Sequence, residues 1–413
     1  TIGLFSIITI TTILSGSYPA LYLSNLKTLA SLRGQMLGGF GDLWARKGLV
    51  IFQFGVSIIL IVSVLIVSDQ VNYIQSKNLG YSRDNVIFIS NGGIPTQDYE
   101  AFQQAIKSIP GVVKSSGATH NLTGEYGRTS GVNWLGQAPD ERLSFLNLQT
   151  GIGFIETMGI EVIEGRAVEE GRSNEFDKVL FNETAIRQMN LDNPIGQIVK
   201  VWGRDKQIIG IVKDFHVETL YEAISPTLIH PVNEVFNQTF IKIQAGTEMQ
   251  TIHQLEKVYD QFSNGEPFEL DFVDQAYKTM YTSEKQVASL SQSFAIIAII
   301  ISCLGLLGLT SFTAQRRAKE IGIRKVLGAE VWRIIYLLSG DFSKMVLAAI
   351  LIALPISYFI AKEWIQNFAF SVELSPLYFV LAGVIIFTIA WLTVGFQTFK
   401  AAKSNPVDNL RSE

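Results

Sequence analysis

Residues 48–68 read GLVIFQFGVSIILIVSVLIVS, a stretch without a single ionisable side chain. An α-helix rises about 1.5 Å per residue, so about 20 mainly apolar residues cross a hydrocarbon layer about 30 Å thick. This stretch therefore predicts a membrane-spanning helix. It decides the fold class, because a chain with such a helix is an integral membrane protein.

Four further stretches lack Asp, Glu, Lys, Arg and His, namely residues 1–26, 286–315, 345–361 and 374–399. The stretch 345–361 is short and contains Pro355. A kinked helix with Lys344 and Lys362 snorkelling at its ends can still span the membrane. Together with residues 48–68, these stretches predict five hydrophobic helices.

The first of these helices differs from a signal peptide. A signal peptide carries its positive charge before its apolar core, whereas Lys27, the first positive charge here, follows the core. We therefore interpret residues 1–26 as a transmembrane helix. Because the sequence begins at Thr1 without an initiator methionine, we expect this helix to be truncated and the missing part to lie upstream. Four complete spans follow it.

The distribution of charge separates one acidic block from basic flanks. Charged residues make up 17% of the 413 residues, below the quarter or so that is typical of soluble domains. Residues 69–290 contain 29 Asp and Glu against 18 Lys and Arg, and the rest of the chain is basic. Because short basic loops face the cytoplasm, we expect the acidic block to lie outside.

This rule gives a complete predicted topology. The spans are residues 48–68, 291–312, 342–361 and 377–399, after the leading helix at 1–26. The cytoplasmic parts are a linker at 27–47, a loop at 313–341 and a tail at 400–413, so the C-terminus is inside. The extracytoplasmic parts are the domain with its stalk at 69–290 and a short loop at 362–376.

Hydrophobic patterning in residues 69–264 predicts a mixed α/β domain. Short apolar or alternating runs predict strands at residues 85–90, 178–181, 207–212 and 240–244. Helices are predicted at 96–108 and 183–189. From residue 273 to 311 only two glycines interrupt the helical pattern, so we predict one unbroken helix that leads from this domain into the next span.

Sequence motifs of common catalytic centres are absent. No Gly-Lys dipeptide occurs, so the chain has no Walker A loop for a nucleotide phosphate. The four histidines form no HExxH motif, and no GxSxG elbow occurs. The single cysteine, Cys303, excludes an internal disulfide. We therefore expect no catalytic residue, metal or cofactor in this chain, and no nucleic-acid partner.

The most informative segment lies directly after a predicted span, at residues 311–339 (SFTAQRRAKEIGIRKVLGAEVWRIIYLLS). It contains six basic and two acidic residues, and its apolar residues recur at roughly helical spacing. This pattern predicts a short amphipathic helix along the inner membrane face. Gly322 and Gly328 keep parts of its surface small, so another protein can approach closely. The residues alone are equally compatible with a basic membrane anchor.

Residues 319–329, KEIGIRKVLGA, resemble the signature cytoplasmic loop of the FtsX/MacB-type ABC transporter permeases. The resemblance implies that this loop is a coupling helix that docks on an ATP-binding subunit. The residues that it assigns to this coupling are Lys319, Glu320, Ile321, Gly322, Arg324, Lys325, Leu327, Gly328 and Ala329.

Other stretches agree with the same family. Residues 154–166, 179–183, 193–196 and 208–214 resemble its MacB-like periplasmic core domain, residues 268–286 its stalk, and residues 400–411 its usual ending. Residues 18–35 can also be laid over residues 396–413 without a gap. This internal similarity suggests that residues 1–26 are the last helix of a preceding permease half, as in the duplicated form of the family.

The resemblance implies a permease subunit that couples ATP hydrolysis by a partner ATPase to movement of its extracytoplasmic domain. We expect it in the bacterial inner membrane, with a second permease half or dimer mate and a periplasmic adaptor as further partners. The expected cargo is a drug, a peptide or a lipoprotein, among which the sequence does not choose.

Two other functions share features with this sequence. A transmembrane signalling protein or a regulator of a cell-wall hydrolase would share this architecture. A secondary transporter is disfavoured, because the charge-free stretches offer no buried carboxylate for ion coupling.

Overall fold

The computed structural model describes residues 40–120, 127–140, 142–317, 320–321, 323–324, 327–328 and 330–403, together with residues 5, 6, 9, 12 and 13. Most of the predicted leading helix at 1–26, most of the linker at 27–47 and most of the tail at 400–413 therefore lie outside the described residues. The chain divides into two compact units. The first comprises residues 1–59, 295–356 and 380–413, and the second comprises residues 60–294 and 357–379.

Helices and strands alternate through the second unit, and the longest helices contribute to both units. In chain order the helices of the described residues are α1 (Phe40–Ser76), α2 (Tyr99–Lys107), α3 (Phe154–Met158), α4 (Glu183–Met189), α5 (Glu248–Phe262), α6 (Val273–Met280), α7 (Thr282–Arg316), α8 (Val331–Ile365) and α9 (Pro376–Lys403). The strands are β1 (Val86–Ser90), β2 (Val112–Ala118), β3 (Arg128–Thr129), β4 (Val132–Asn133), β5 (Phe145–Thr150), β6 (Val162–Gly165), β7 (Lys178–Asn182), β8 (Ile198–Val201), β9 (Arg204–Val212), β10 (Thr227–Pro231), β11 (Gln238–Ile243) and β12 (Leu270–Phe272).

Four of the described helices are long and apolar enough to cross a membrane. They are α1, α7, α8 and α9, over Arg46–Ser76, Thr282–Arg316, Ser339–Ile365 and Pro376–Lys400. Pro355 lies inside α8. The predicted fold class, a helical transmembrane bundle with four complete spans and a mixed α/β domain, is thereby confirmed. The residues at which lipid begins and ends stay predictions.

In the first unit the helices approach each other through small and polar side chains. Ser57 Oγ of α1 lies 3.1 Å from Ser302 Oγ of α7 in a buried hydrogen bond. A Cβ atom on Gly305 would lie 2.6 Å from Gln53 Oε1, so a larger residue here would displace the end of the Gln53 side chain. Small residues and interhelical hydrogen bonds are the usual means of helix association in lipid, where apolar burial gives little driving force.

The second unit contains one mixed sheet of twelve strands. The main path runs β12-β1-β11-β2-β5-β10-β7-β9-β8-β4, while β3 pairs with β5 and β6 with β9. The pairs β5–β10 and β7–β9 are parallel, and the other pairs are antiparallel. Phe88 and Phe240 face each other on β1 and β11 with ring centroids 5.6 Å apart. The predicted strands at 85–90, 178–181, 207–212 and 240–244 correspond to β1, β7, β9 and β11 and are confirmed.

The two predicted domain helices are also present. Residues 183–189 form α4. This helix begins there because the Asn182 side chain accepts a hydrogen bond from Ala185 N at 3.0 Å, the usual N-cap arrangement. It ends at Asn190, whose φ of 50° is left-handed. Residues 96–108 form a 3-10 turn, Thr96–Asp98, followed by α2.

The prediction of one unbroken helix from residue 273 to 311 is wrong. Helix α6 ends at Met280 and α7 begins at Thr282, with Tyr281 between them at φ −107° and ψ 25°. The Tyr281 side chain is fully buried in the apolar core of the second unit. Its hydroxyl accepts a hydrogen bond from Leu220 N at 2.8 Å. Tertiary burial of one aromatic side chain thus accompanies the break, and no proline or glycine is present to cause it.

Candidate functional site

The segment between α7 and α8 carries the nine predicted coupling residues. We call residues 317–330 the coupling segment. At the described positions 320, 321, 323 and 324 the backbone is helical. Ile321 N donates to Arg317 O at 2.9 Å, and Leu327 N donates to Ile323 O at 3.0 Å. Both bonds join residues four apart, as in an α-helix.

Gly328 lies after this short helix. Its φ is +86°, a left-handed conformation that glycine adopts without steric cost and that commonly ends helices. A Cβ atom built on Gly328 would meet no other atom within 4 Å. The space around Gly328 would thus admit a side chain, and it is the left-handed backbone conformation that favours glycine here.

The charged residues of the segment pair with each other. Arg324 Nη2 lies 2.7 Å from Glu320 Oε1, and each side chain is about half exposed, at 49% and 45%. Glutamate four residues before a basic residue is the favourable order on a helix. Because both groups stay half exposed, the pair adds little to stability. Its charges are accessible to another protein.

The apolar residues of the segment divide between a buried and an exposed set. Ile321 is buried, whereas Ile323 is 54% and Leu327 80% exposed. At the start of α8, Trp332 and Tyr336 are also exposed, at 71% and 84%. Exposed aromatic residues are typical of protein interfaces and of membrane surfaces. The sequence analysis missed these two residues, although their spacing of four places them on one helix face.

The structure tests only part of the predicted set. Glu320, Ile321, Arg324, Leu327 and Gly328 are placed as given above. The other four, Lys319, Gly322, Lys325 and Ala329, lie outside the described residues. The role of every member of the set in coupling stays a prediction.

A second functional feature, in the second unit, is the attachment of the α8–α9 loop (residues 366–375). The side-chain amide of Gln70 in α1 is fully buried and bonds this loop twice. Gln70 Nε2 donates to Phe370 O at 3.0 Å, and Gln70 Oε1 accepts from Val372 N at 2.8 Å. Both ends of one amide are thus satisfied by one loop.

The same loop also binds the segment that follows β9. Ala369 N donates to Tyr221 O at 3.2 Å, and Phe370 N donates to Leu220 O at 3.3 Å. The rings of Tyr221 and Phe368 stack with centroids 4.3 Å apart. The loop therefore packs directly on the domain core. In the sequence, only the aromatic residues of the loop hint at this contact.

His216 packs against this loop. Its ring meets the Phe370 ring edge-on, with centroids 4.5 Å apart. Burial, and to a smaller extent the nearby Lys77 charge, lowers the pKa of His216 to about 4. The histidine is therefore neutral at physiological pH and serves as a packing residue.

The stalk is attached to α1 as well. Tyr277 OH, in α6, donates to Ile74 O at 3.0 Å. The Arg83 guanidinium lies 4.6 Å from the Tyr277 ring centroid. Together with Tyr281, this contact holds the end of α1 and the start of α7 in one buried cluster of the second unit.

Among the described residues, no three His, Cys, Asp or Glu side chains form a group that could hold a metal ion. The candidate features are therefore the Glu320–Arg324 charges, the exposed aromatic residues at the start of α8 and the contacts that attach the long helices to the domain.

Comparison with known proteins gives one family model. The model described as FtsX-like permease C-terminal matches residues 293–406. This range includes most of α7, the coupling segment, α8 and α9.

Similar curated proteins are ABC permeases. An uncharacterised ABC transporter permease of Methanocaldococcus jannaschii is 22% identical over 280 residues, which are 62% of this chain and 66% of that protein. The macrolide export ATP-binding/permease protein MacB of Mannheimia succiniciproducens is 23% identical over 286 residues, 64% of this chain and 43% of that protein. MacB of Chromobacterium violaceum is 21% identical over 327 residues, which are 73% of this chain and 50% of that protein. The chain thus spans less than two thirds of the length of these relatives.

Two solved structures resemble part of the chain. The periplasmic region of MacB from Actinobacillus actinomycetemcomitans aligns with a TM-score of 0.37 and 16% identity, covering 50% of this chain and 97% of that one. The extracellular domain of the ABC-type transporter YknZ from Gram-positive bacteria aligns with a TM-score of 0.34 and 14% identity, covering 45% and 100%.

Proposed function

We propose that this chain, whose residues 293–406 match the FtsX-like permease model and whose similar proteins are ABC permeases, couples ATP hydrolysis by a partner ATPase to movement of its α/β domain. The observation that carries this proposal is the continuity of α7. This helix runs without interruption from Thr282 to Arg316. It begins beside Tyr281, which is buried in the domain core, and ends at the coupling segment. A displacement of the segment is therefore transmitted along α7.

The proposed docking surface for the ATPase is the coupling segment. Glu320 and Arg324 offer two half-exposed charges, and Leu327 offers an exposed apolar side chain. Lys319, Gly322, Lys325, Gly328 and Ala329 complete the surface in this proposal, and Ile321, whose side chain is buried, supports it from within. ATP chemistry then resides in the partner, and this chain converts it into mechanical work.

The α8–α9 loop provides a second route for the same movement. Its bonds to Gln70, Leu220 and Tyr221 connect α8 and α9 to the α/β domain. The break at Tyr281 lies where α7 enters the domain, and the buried Tyr281 side chain anchors this end of α7 in the domain core. Loop and anchor together let the domain respond as one body when the helices move.

The proposed location is the bacterial inner membrane. The basic coupling segment and the C-terminus face the cytoplasm, and the acidic domain faces outward. A second permease half or dimer mate and a periplasmic adaptor are further proposed partners. The proposed cargo is a drug, a peptide or a lipoprotein, and the MacB relatives are named for macrolide export. Control of a cell-wall hydrolase or signalling is the alternative for the same movement.

The test is ATP hydrolysis by the purified complex with its ATPase. We expect Arg324→Glu to abolish either assembly or the stimulation of hydrolysis. The control is the exchange variant Glu320→Lys/Arg324→Glu, which restores an ion pair within the helix but inverts the surface presented to a partner. Activity that stays low in the exchange variant supports docking. Unchanged activity in the single variant, or full rescue by the exchange, contradicts it.

A further inference from the structure

A cleft in the first unit has a chemistry that the coupling function does not use. We propose that it binds one anionic phospholipid, with the phosphate at a basic rim and the acyl chain on an apolar floor. The cleft lies among the start of the α1 span, the end of α7 and the first turns of α8. Its lining residues are Lys47, Leu309, Phe312, Thr313, Arg316, Arg317, Asp341, Phe342 and Met345.

The size of the cleft suits a group much larger than a water molecule. Its volume is about 230 Å³, whereas one water takes about 30 Å³ in the liquid. A phosphate with its glycerol and the first methylene groups of an acyl chain is of this size class. The cleft is also open to its surroundings, so a lipid can enter without a rearrangement of the helices.

The floor of the cleft is apolar. Leu309, Phe342 and Met345 are all buried, and the Phe312 ring forms part of the wall. These residues belong to α7 and α8, two helices that are long and apolar enough to cross a membrane. The floor is thus a surface on which a hydrocarbon chain is stable.

The rim of the cleft is basic. The guanidinium of Arg46 lies 4.8 Å from the Phe312 ring centroid, and that of Arg316 lies 5.0 Å from the same centroid. Stacking on one ring holds both guanidinium groups at the cleft. Lys47 lies beside them and lines the cleft directly.

Asp341 is the only acid among the described residues that line the cleft. Asp341 Oδ2 accepts an ion pair from Arg317 Nη2 at 3.2 Å, and both side chains are more than a third exposed. Three basic side chains, Lys47, Arg316 and Arg317, thus line the cleft with one carboxylate, and the excess positive charge lies beside an apolar floor. A phosphate monoanion or diester matches this excess through charge-assisted hydrogen bonds.

The combination selects a lipid rather than a soluble anion. A free phosphate would satisfy the rim and leave the apolar floor in water, while a zwitterionic lipid would cover the floor and leave positive charge in excess. Basic pockets between membrane helices are known as sites for anionic headgroups. The inference does not depend on the ATPase coupling proposed above, since it uses neither Glu320 nor Arg324.

Native mass spectrometry of the delipidated full chain in neutral detergent tests the proposal. The probes are phosphatidylglycerol, phosphatidylcholine with the same acyl chains, and inorganic phosphate. We expect one phosphatidylglycerol to be retained per chain in preference to phosphatidylcholine, and no matching retention of phosphate. Equal retention of the two lipids, or competition by phosphate at the lipid's own concentration, overturns the proposal.

Variants locate the site. We expect Lys47→Gln and Arg316→Gln each to weaken phosphatidylglycerol binding about fivefold, which corresponds to one surface charge near a membrane. Lys344→Gln is the matched control, because Lys344 is an exposed lysine of α8 that does not line the cleft. Equal weakening by Lys344→Gln would show only a general charge effect and contradict a built site. If a variant does not fold, the comparison of phosphatidylglycerol with phosphatidylcholine in the unmodified chain still tests the proposal.

Discussion

The side chain of Gln70 holds the backbone of Phe370, 300 residues later in the chain, through a hydrogen bond of 3.0 Å from Nε2 to the carbonyl oxygen. The bond from Val372 N to Gln70 Oε1, at 2.8 Å, completes the attachment. Because Gln70 belongs to α1 and Phe370 to the α8–α9 loop, one buried amide joins the ends of three long helices. The mechanical account of the protein begins from this contact.

Replacement of this amide should release the loop. Gln70→Met keeps the length of the side chain but leaves Phe370 O and Val372 N without their partner, at a cost of about 1–3 kcal/mol. We expect faster hydrogen exchange at Ala369 and Phe370. Gln366→Met, at an exposed glutamine of the same loop, is the control and should change neither amide. Equal exchange rates in the two variants would contradict the role of Gln70.

The Tyr281 hydroxyl should contribute to stability more than other hydroxyls of the domain. Tyr281→Phe leaves the buried Leu220 N–H unpaired, so we expect a loss of about 1–3 kcal/mol in the free energy of unfolding. Tyr221→Phe is the same chemical change at a side chain that is 37% exposed. Denaturant unfolding followed by tryptophan fluorescence measures both. A smaller loss for Tyr281→Phe than for Tyr221→Phe would count against the buried anchor.

Acid should weaken the contact of His216 with the loop. Burial lowers the pKa of His216 to about 4, whereas an unfolded histidine has a pKa of about 6.5. The unfolded chain therefore binds more protons in this range, and the stability present above pH 6.5 or so is lost as the pH falls towards 4. Lys77 and Asp214 are the charged groups that act on this ring.

The variant His216→Gln isolates that contribution. Its unfolding free energy should fall less between pH 7.5 and pH 5 than that of the unmodified protein. His230, whose pKa burial also lowers to about 4, stays in both proteins and supplies a common background. Parallel curves for the two proteins would show that His216 does not contribute to the pH dependence.

Gly328 and Gly340 should respond in opposite directions to the same substitution. At φ +86° an alanine in place of Gly328 is strained by about 1–2 kcal/mol. Gly340 lies within helix α8 with open space around its Cβ position, so Gly340→Ala should stabilise by about 0.5–1 kcal/mol. Hydrogen exchange across residues 320–327 measures the first effect. Protection that is unchanged in Gly328→Ala would show that this glycine does not define the end of the segment.

The sequence predicts what depends on local pattern. The four charge-free stretches after residue 26 became long helices because a spanning helix must be apolar throughout. The run VIFIS became β1, and residues 183–189 became α4 because Asn182 caps them. These features follow from composition over a few residues, and they define the fold class.

Features that depend on distant contacts were not predictable in this way. The break at Tyr281 has no proline or glycine to announce it, and it coincides with burial beside Leu220. The loop attachment joins residues 300 positions apart. The ion pair between Glu320 and Arg324 is different, because it is a local contact. The resemblance assigned both residues to the ATPase, whereas in the structure they pair with each other. Their spacing of four residues in a helix predicts that pair.

The central claim is that ATP binding to the partner ATPase, docked at the coupling segment, moves the domain through the helices and the α8–α9 loop. Hydrogen exchange of Ala369 and Phe370, measured in the complex of the full-length protein with its ATPase, with and without ATP, tests it most directly. We predict that ATP changes the exchange of these amides in the unmodified complex and that Arg324→Glu abolishes the change. Exchange that is indifferent to ATP, or a response that persists in Arg324→Glu, would contradict the account.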